Sequence, residues 1–458
     1  MNAIGPKRIE VSPAMPRWLI PMIYTVVSLI AGGVLPRLEQ YLFPGLTHSM
    51  SVGSALGFFS AVASGMMALT GIVFAIAFVM VQFSALAYSP RLVFMFASSP
   101  ALYHSLGIFF ATFTYSLVAL IWTDRGGSGR VPFLSSWLVE ALLIISLLAF
   151  ARLISSLNDL QIQNVLRTIG ARGREVIATL FPRLPDAVTP EQAELNELAA
   201  LGEPTQTVIY SGEPRAIARF DIQTFVGLAQ NANAVLVLDC AVGDTLVEHS
   251  IVMRVYGPQK LPEATLMRAV HLATSRTYEQ DPKYAIRLLV DIAIRALSPA
   301  INDPTTAVQA LDQIEDLLRR LGRRQLDAGY VRDAAGAIRV TFPVPTWDDY
   351  LCVSFDEIRQ YGAGSVQVVR RLRAALVGLA DSILVPERRE ALLQYLDHLN
   401  LGVGRSTFDV KDQAAALQED RQGLGLSRKR RETKATDKGA ETAADNGPGV
   451  KTAEITLA

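Results

Sequence analysis

The sequence predicts an α-helical transmembrane bundle of four spans followed by a cytoplasmic α+β domain, mostly helical, with a small β subdomain. Three observations predict it. Charge is missing from long apolar runs in the first third of the chain. Ionisable residues crowd the remainder. The hydrophobic pattern changes from unbroken runs to mixed helix and strand periods after about residue 200. Half of the 458 residues are apolar, and 43 basic side chains balance 43 acidic ones. That balance excludes a globally basic nucleic-acid binder, so no nucleic-acid partner is expected. Two cysteines, Cys240 and Cys352, exclude a disulfide scaffold and a four-cysteine zinc site. Residues 1–150 hold seven basic and four acidic side chains; the other 308 residues hold 75 charged ones. Neutrality is therefore an average over a part built for lipid and a part built for water.

The spans follow in order. Residues 1–16 read as a basic N-terminal cytoplasmic segment and 17–154 as the four-span domain. No Asp, Glu, Lys or Arg occurs between Glu39 and Arg91, or between Arg91 and Asp124. Such runs read as membrane spans. The first is placed at about 18–35, the second within 52–88, the third at about 104–122 and the fourth at about 132–154. The first resembles a signal peptide in its basic flank, but it lacks a small-residue cleavage site, so a retained span is expected. The second is too long: as one helix it would reach about 55 Å against about 30 Å of hydrocarbon. It is either one long tilted helix or a break followed by a span. It ends at Ser89-Pro90-Arg91, where proline disfavours helix and arginine sits at the headgroups. Trp18, Trp122 and Trp137 fall near span ends, as amphipathic aromatics do.

Orientation comes from the arginines and lysines. With the N-terminus inside, Lys7, Arg8, Arg17, Arg91, Arg152, Arg167, Arg172 and Arg174 are cytoplasmic, and Arg37, Arg125 and Arg130 are outside. Four spans then place both termini in the cytoplasm. Within the bundle, Gly53, Gly57, Ala61 and Gly65 form a small-residue stripe that lets another helix approach closely. Packing by another helix of the same chain is the first expectation; an oligomer interface or pore lining is the second. Glu140 lies about eight residues into the fourth span. An intramembrane carboxylate normally faces a bundle interior or water. It is either a cation or proton site or a hydrogen-bonded glutamate near the interface. Gln82 is a polar residue available to partner it.

Residues 155–182 read as a connecting amphipathic helix and 183–204 as a polar linker. Residues 205–260 read as a small β-rich subdomain, with strands at 205–211, 234–240 and 250–256 and a short helix at 220–230. Its Gly243-Asp244 turn resembles half of a biotinyl/lipoyl-like barrel. No lysine occurs between 205 and 259, so no amine could carry such a group, and no cofactor is expected. Residues 261–405 read as a helical cytoplasmic domain with a β-hairpin. Helices are expected at 263–276, 285–297, from the Asp303-Pro304 cap onwards, and at 346–361, 364–380 and 386–400. The hairpin turns at Asp333-Ala-Ala-Gly336. Residues 406–458 read as a disordered tail. Its Arg428, Lys429, Arg430 and Arg431 could touch anionic lipid.

The most distinctive stretch runs from Arg276-Thr-Tyr-Glu-Gln-Asp281-Pro282 through Arg287, Asp291 and Arg295 to Ser298-Pro-Ala-Ile-Asn302-Asp303-Pro304. Together with QFSALAYSPR at 82–91, Ser211-Gly212 through Asp221, Gly243-Asp244 and Phe355–Gly362, it resembles the bacterial membrane-protein family called domain of unknown function 2254. The resemblance covers about residues 15–405. It implies a four-span membrane domain with a cytoplasmic C-terminal domain, in the inner membrane of a bacterium. It implies no activity, substrate or catalytic residue.

Within that stretch, Arg287, Asp291 and Arg295 are spaced four apart and share one helix face. They form either an anion or acid–base site facing Asn302 and Asp303, with Asp281 nearby, or an ion-pair ladder holding two helices and a capped turn. The ladder is the first expectation. No phosphate-loop, zinc-protease, CxxC or nucleophile-elbow motif occurs, so an enzyme is not expected. The leading expectation is a homo-oligomeric channel or small-solute transport protein with a cytoplasmic regulatory domain. The alternative is a membrane-anchored sensor or scaffold with a cytoplasmic protein partner.

Overall fold

The structure is a computed structural model that describes residues 16, 18–42, 50–83, 100–125, 129–156, 161–182, 184, 201–326, 329–406 and 408–422. The chain divides into two compact units, one ending at Val165 and the other beginning at Leu166. Residues 1–15, the exit sequence at 84–91 and the basic cluster Arg428, Lys429, Arg430 and Arg431 lie outside the described residues.

The first unit contains helices α1 (Leu19–Leu42), α2 (Val52–Phe83), α3 (Pro100–Trp122) and α4 (Phe133–Ser156). All four are long and apolar enough to cross a membrane. A helix satisfies every backbone donor within itself, which is what hydrocarbon demands. α3 is the hub: 56% of its apolar window is buried inside the unit, against 17–28% for the others. Contacts between α1 and α3 climb in step, from Tyr24 on His104 to Gly32 on Val118 and Arg37 over Trp122. The two helices therefore run parallel. α4 runs antiparallel to α3, with Tyr115 donating to Ser135 at 3.1 Å and Thr112 bonded to Ser146 at 2.8 Å.

Three expectations change here. α1 does not stop before Pro36 but continues through it to Leu42. A proline costs less inside a bundle because neighbours re-satisfy the freed backbone groups. α2 is one helix from Val52 to Phe83, about 48 Å long, which decides between the two readings of its length. Among the described residues, the small-residue stripe packs against no other helix. Gly53, Gly57, Ala61 and Gly65 are all exposed, and no atom lies within 4 Å of a Cβ built on the three glycines. The buried face of α2 is Ala55, Phe59, Val62, Met66 and Val73. Close approach is made elsewhere. A Cβ on Gly107 would lie 2.8 Å from the Tyr24 ring, and one on Gly32 would lie 3.0 Å from Val118.

The second unit begins within α5 (Ile162–Leu180), whose Gly173 lets Leu317 and Ala285 pack against its backbone. Two sheets follow. One has order β1 (Gln206–Ile209), β5 (Ile251–Tyr256), β3 (Val235–Leu238), β8 (Ile338–Thr341), β7 (Tyr330–Arg332). The other has order β4 (Thr245–Leu246), β2 (Arg215–Phe220), β6 (Val270–Ala273). All neighbours are antiparallel except β3 and β8, which pair in parallel. The expected hairpin thus completes the five-stranded sheet instead of decorating a helical domain, and the 205–260 segment is not half of a self-contained barrel. Helix α6 (Ile222–Asn231) is capped by Asp221, and Phe225 fills the core with Ile217, Leu236, Val255 and Val340.

The helix expected at 263–276 is two elements: α7 (Glu263–Arg268) and then strand β6. Local periodicity favours helix through this run. Pairing of Val270 with Phe220 and Leu272 with Ile217 overrides it. The helical layer follows as α8 (Pro282–Ala296), α9 (Pro304–Leu321), α10 (Trp347–Tyr361), α11 (Val366–Ala380), α12 (Pro386–Gly404) and α13 (Val410–Ala416). α13 corrects the tail boundary at 406. Residues 408–422 carry a capped helix, with Ala416 and Asp420 buried. Residues 423–458 lie outside the description.

Candidate functional site

The 276–304 stretch builds two joints. In the first, Asp281 caps α8: its carboxylate accepts from the Tyr284 N–H at 3.0 Å, and Pro282 occupies the first turn. The same carboxylate takes the Arg276 guanidinium, with Nε at 3.0 Å and Nη2 closer. Asp281 is only 4% exposed. Burial pushes its carboxyl above the usual range, against the pull of Arg276 and the Tyr284 N–H. Gly243, at φ +92°, presses its backbone on this pair. A Cβ there would lie 2.5 Å from Asp281 and 2.6 Å from Arg276. The joint thus ties the β4 turn to the start of α8. The Arg276 guanidinium also lies over the Tyr284 ring, whose other neighbour is Tyr278 at 5.2 Å between centroids.

The second joint is one turn further along α8. Arg287 Nε donates to Asp291 at 2.7 Å, and its two terminal nitrogens grip both oxygens of Glu357 on α10, one of them at 2.9 Å. A bidentate guanidinium–carboxylate pair fixes orientation as well as distance. Glu357 and Asp291 hold the Arg287 guanidinium firmly charged, Glu357 most. One arginine between two carboxylates leaves no seat for an anion. Asp303 does not face this ladder. Both of its oxygens accept from Thr306, at 3.1 Å from the N–H and 2.6 Å from the hydroxyl, which caps α9. Asn302 makes the preceding turn at φ +47°. Arg295 is half-buried at the end of α8. Asp281 and Asp303 are thus each spent on a helix start, and Arg287 on a tie between α8 and α10. Thr277 Oγ1, Tyr278 Oη and Tyr350 Oη are buried near the joints without a hydrogen-bond partner.

In the spanning unit, Glu140 is half-buried on α4 and Gln82 is exposed on α2. Among the described residues of this unit, the buried carboxylate is Glu39, 5% exposed. It accepts from the Phe133 and Leu134 N–H groups, the latter at 3.1 Å, and so caps α4 from the end of α1. Two residues that matter were missed as sites. Glu39 served only to mark the edge of an uncharged run, although a lone acid near a helix that starts at Phe133 was the available signal. Glu357 was seen only as part of a motif. Its partner is 70 residues away, which no local spacing reveals.

Four apolar spanning helices ahead of a mixed helix-and-sheet unit define a multi-span integral membrane protein with a folded C-terminal domain. The chain belongs to the family described as Predicted membrane protein (DUF2254), which matches residues 16–377. It is 27% identical over 417 residues to Uncharacterized protein Rv1290c of Mycobacterium tuberculosis and to Uncharacterized protein Mb1321c of Mycobacterium bovis. The match covers 87% of this chain and 78% of each relative. No solved structure matches the chain.

Proposed function

We propose that the protein is a homo-oligomeric channel or small-solute transport protein, with both termini in the cytoplasm of a bacterial cell and the C-terminal unit regulating passage. The carrying observation is the free face of α2. Gly53, Ser54, Gly57, Ser60, Ala61, Ser64 and Gly65 are all exposed. Helix faces turned to lipid elsewhere in the unit carry bulk, as with Val27, Ile30, Ile144 and Leu148. A face of glycine, alanine and serine offers lipid little and offers a second helix close backbone approach and hydroxyls. It suits self-association or a polar path between copies. The eight-to-three excess of basic residues on one side of the spans supports the orientation. No catalytic role is assigned to 276–304: Asp281 takes Arg276, Arg287 takes Asp291 and Glu357, and Asp303 takes Thr306.

The test is flux of common cations and anions in liposomes, beside cross-linking through Ser64→Cys. The expected result is a cross-linked oligomer with flux, both lost in a Gly57→Leu/Gly65→Leu variant whose monomer stays folded. An inserted oligomer silent to every ion and solute would sink the transport reading. Recovery of a specific cytoplasmic partner in its place would favour the membrane-anchored scaffold.

A further inference from the structure

α11 carries three arginines whose charges are met unequally. The Arg371 side chain, 4% exposed, is matched by Asp312 at 2.8 Å and Glu315 at 2.7 Å, both on α9. The Arg370 side chain is 9% exposed. Its carboxylate neighbour is Asp420, 1% exposed, at 3.4 Å from Nη2. This is charge contact without a hydrogen bond. Nε and Nη2 of Arg370 are both buried and both lack a hydrogen-bond acceptor. Those two nitrogens form the side-on fork by which a guanidinium grips two oxygens of one carboxylate or phosphate. Arg287 uses Nε on Asp291 and both terminal nitrogens on Glu357; at Arg370 the Nε–Nη2 fork is unused. One turn along the same face, Arg373 donates through Nη1 to Asn400 of α12 while its Nε lacks an acceptor.

The segment that brings Asp420 is short. α13 is seven residues long, capped by Asp409. The segment buries Ala416 and Asp420 but leaves Val410 85% and Leu417 43% exposed. Asp420 accepts from the Gln422 N–H at 2.9 Å, and its charge contact with Arg370 leaves Nε and Nη2 without an acceptor.

We propose that Arg370, with Arg373, forms a seat for a phosphate-type anion, and that Asp420 is a displaceable carboxylate closing it through the strap 408–422. A tetrahedral anion has the oxygens to take Nε and Nη2 of Arg370 together and a third donor from Arg373. The phosphate could belong to a soluble compound or to a lipid headgroup. The experiment uses the full chain, with hydrogen exchange of 408–422 as the first readout and calorimetric binding as the second. Pyrophosphate is the soluble probe, and phosphatidylcholine vesicles with or without phosphatidic acid are the lipid probe. Faster exchange of the strap with pyrophosphate identifies a soluble ligand; faster exchange only with phosphatidic acid identifies a headgroup. Asp420→Asn is expected to tighten binding of the effective probe about tenfold, by removing the competing carboxylate. Arg370→Lys, which keeps the charge but loses the fork, is expected to abolish it. Strap exchange unmoved by both probes, with Asp420→Asn binding neither more tightly, would overturn the proposal. If Arg370→Lys fails to fold, the Asp420→Asn result decides alone.

Discussion

The two units bury polar groups by opposite means. In the spanning unit the buried polar side chains are mostly hydroxyls. Thr70, Thr112, Ser116, Thr123, Ser136 and Ser146 each donate to the carbonyl four residues earlier, and Ser28 and Ser105 donate to the backbone of a neighbouring helix. In the C-terminal unit several buried polar groups are charged and paired, as at Asp281–Arg276 and Arg371–Glu315, and the half-buried Arg287–Glu357 pair joins two helices. The difference follows from what each chain segment meets before it packs. A hydroxyl can satisfy itself on its own helix and enter lipid at small cost, and a charge cannot. In water a charge is solvated until its partner arrives, so long-range ion pairs can set register. Polar contacts in the bundle should accordingly be worth little, and those in the C-terminal unit much.

The sharpest test of that contrast is Arg287→Ala. It leaves Asp291 and Glu357 facing each other without the guanidinium. Breaking a buried pair costs about 3–5 kcal/mol and an exposed one at most about 1 kcal/mol; these side chains are 13–38% exposed, so the loss should be about 2 kcal/mol. The expected outcome is a lower melting temperature with faster hydrogen exchange in α8 and α10. Gly107→Val comes next. Overpacking against Tyr24 should cost about 1–3 kcal/mol, whereas Gly57→Val, on the open stripe, should leave the melting of the monomer unchanged. Thr112→Val should cost least, about 0.6 kcal/mol, because the hydroxyl bonds within its own bundle. If thermal denaturation in detergent ranks Thr112→Val with Arg287→Ala, the contrast fails.

The same contrast explains what could be read from the chain. The spans were legible because lipid forbids charge over a known length. The Asp303-Pro304 cap and the Asp333–Gly336 turn were legible because their chemistry is local. Asp281-Pro282 repeats the Asp303-Pro304 signal one helix earlier, so α8 could have been started there and not at Ala285. What stayed hidden depends on partners distant in sequence. β6 is helical by period and a strand by pairing. β8 joins β3 from about a hundred residues downstream. Glu39 looks like the end of a span until α4 is placed against it. The stripe at Gly53–Gly65 was visible, but which face of α2 the chain buries depends on where Phe59 and Val73 find α3. Asp420 sits in a segment whose composition reads as solvated, and its burial beside Arg370 depends on a partner distant in sequence.

The smallest expected effect separates the two units by pH alone. Asp333 accepts from Arg339 Nε at 2.7 Å and from the Ala335 and Ala337 N–H groups at 2.9 and 3.0 Å. The Arg339 guanidinium and these two donors hold its carboxyl below the usual carboxylate range. A folded value below the unfolded one, near 3.9, means that the carboxylate contributes stability above about pH 4. That contribution is lost as pH falls through the folded value, because the folded state resists a proton that the unfolded state takes. Protection factors for β7 and β8, corrected for the intrinsic pH dependence of exchange, should therefore fall below about pH 4. In Asp333→Asn they should start lower and stay flat. Hydroxyls do not titrate there, so amides around the Thr112–Ser146 contact should show no such step. A step of equal size at that contact would mean that the bundle's stability also rests on a titrating group, and the contrast between the two units would fail.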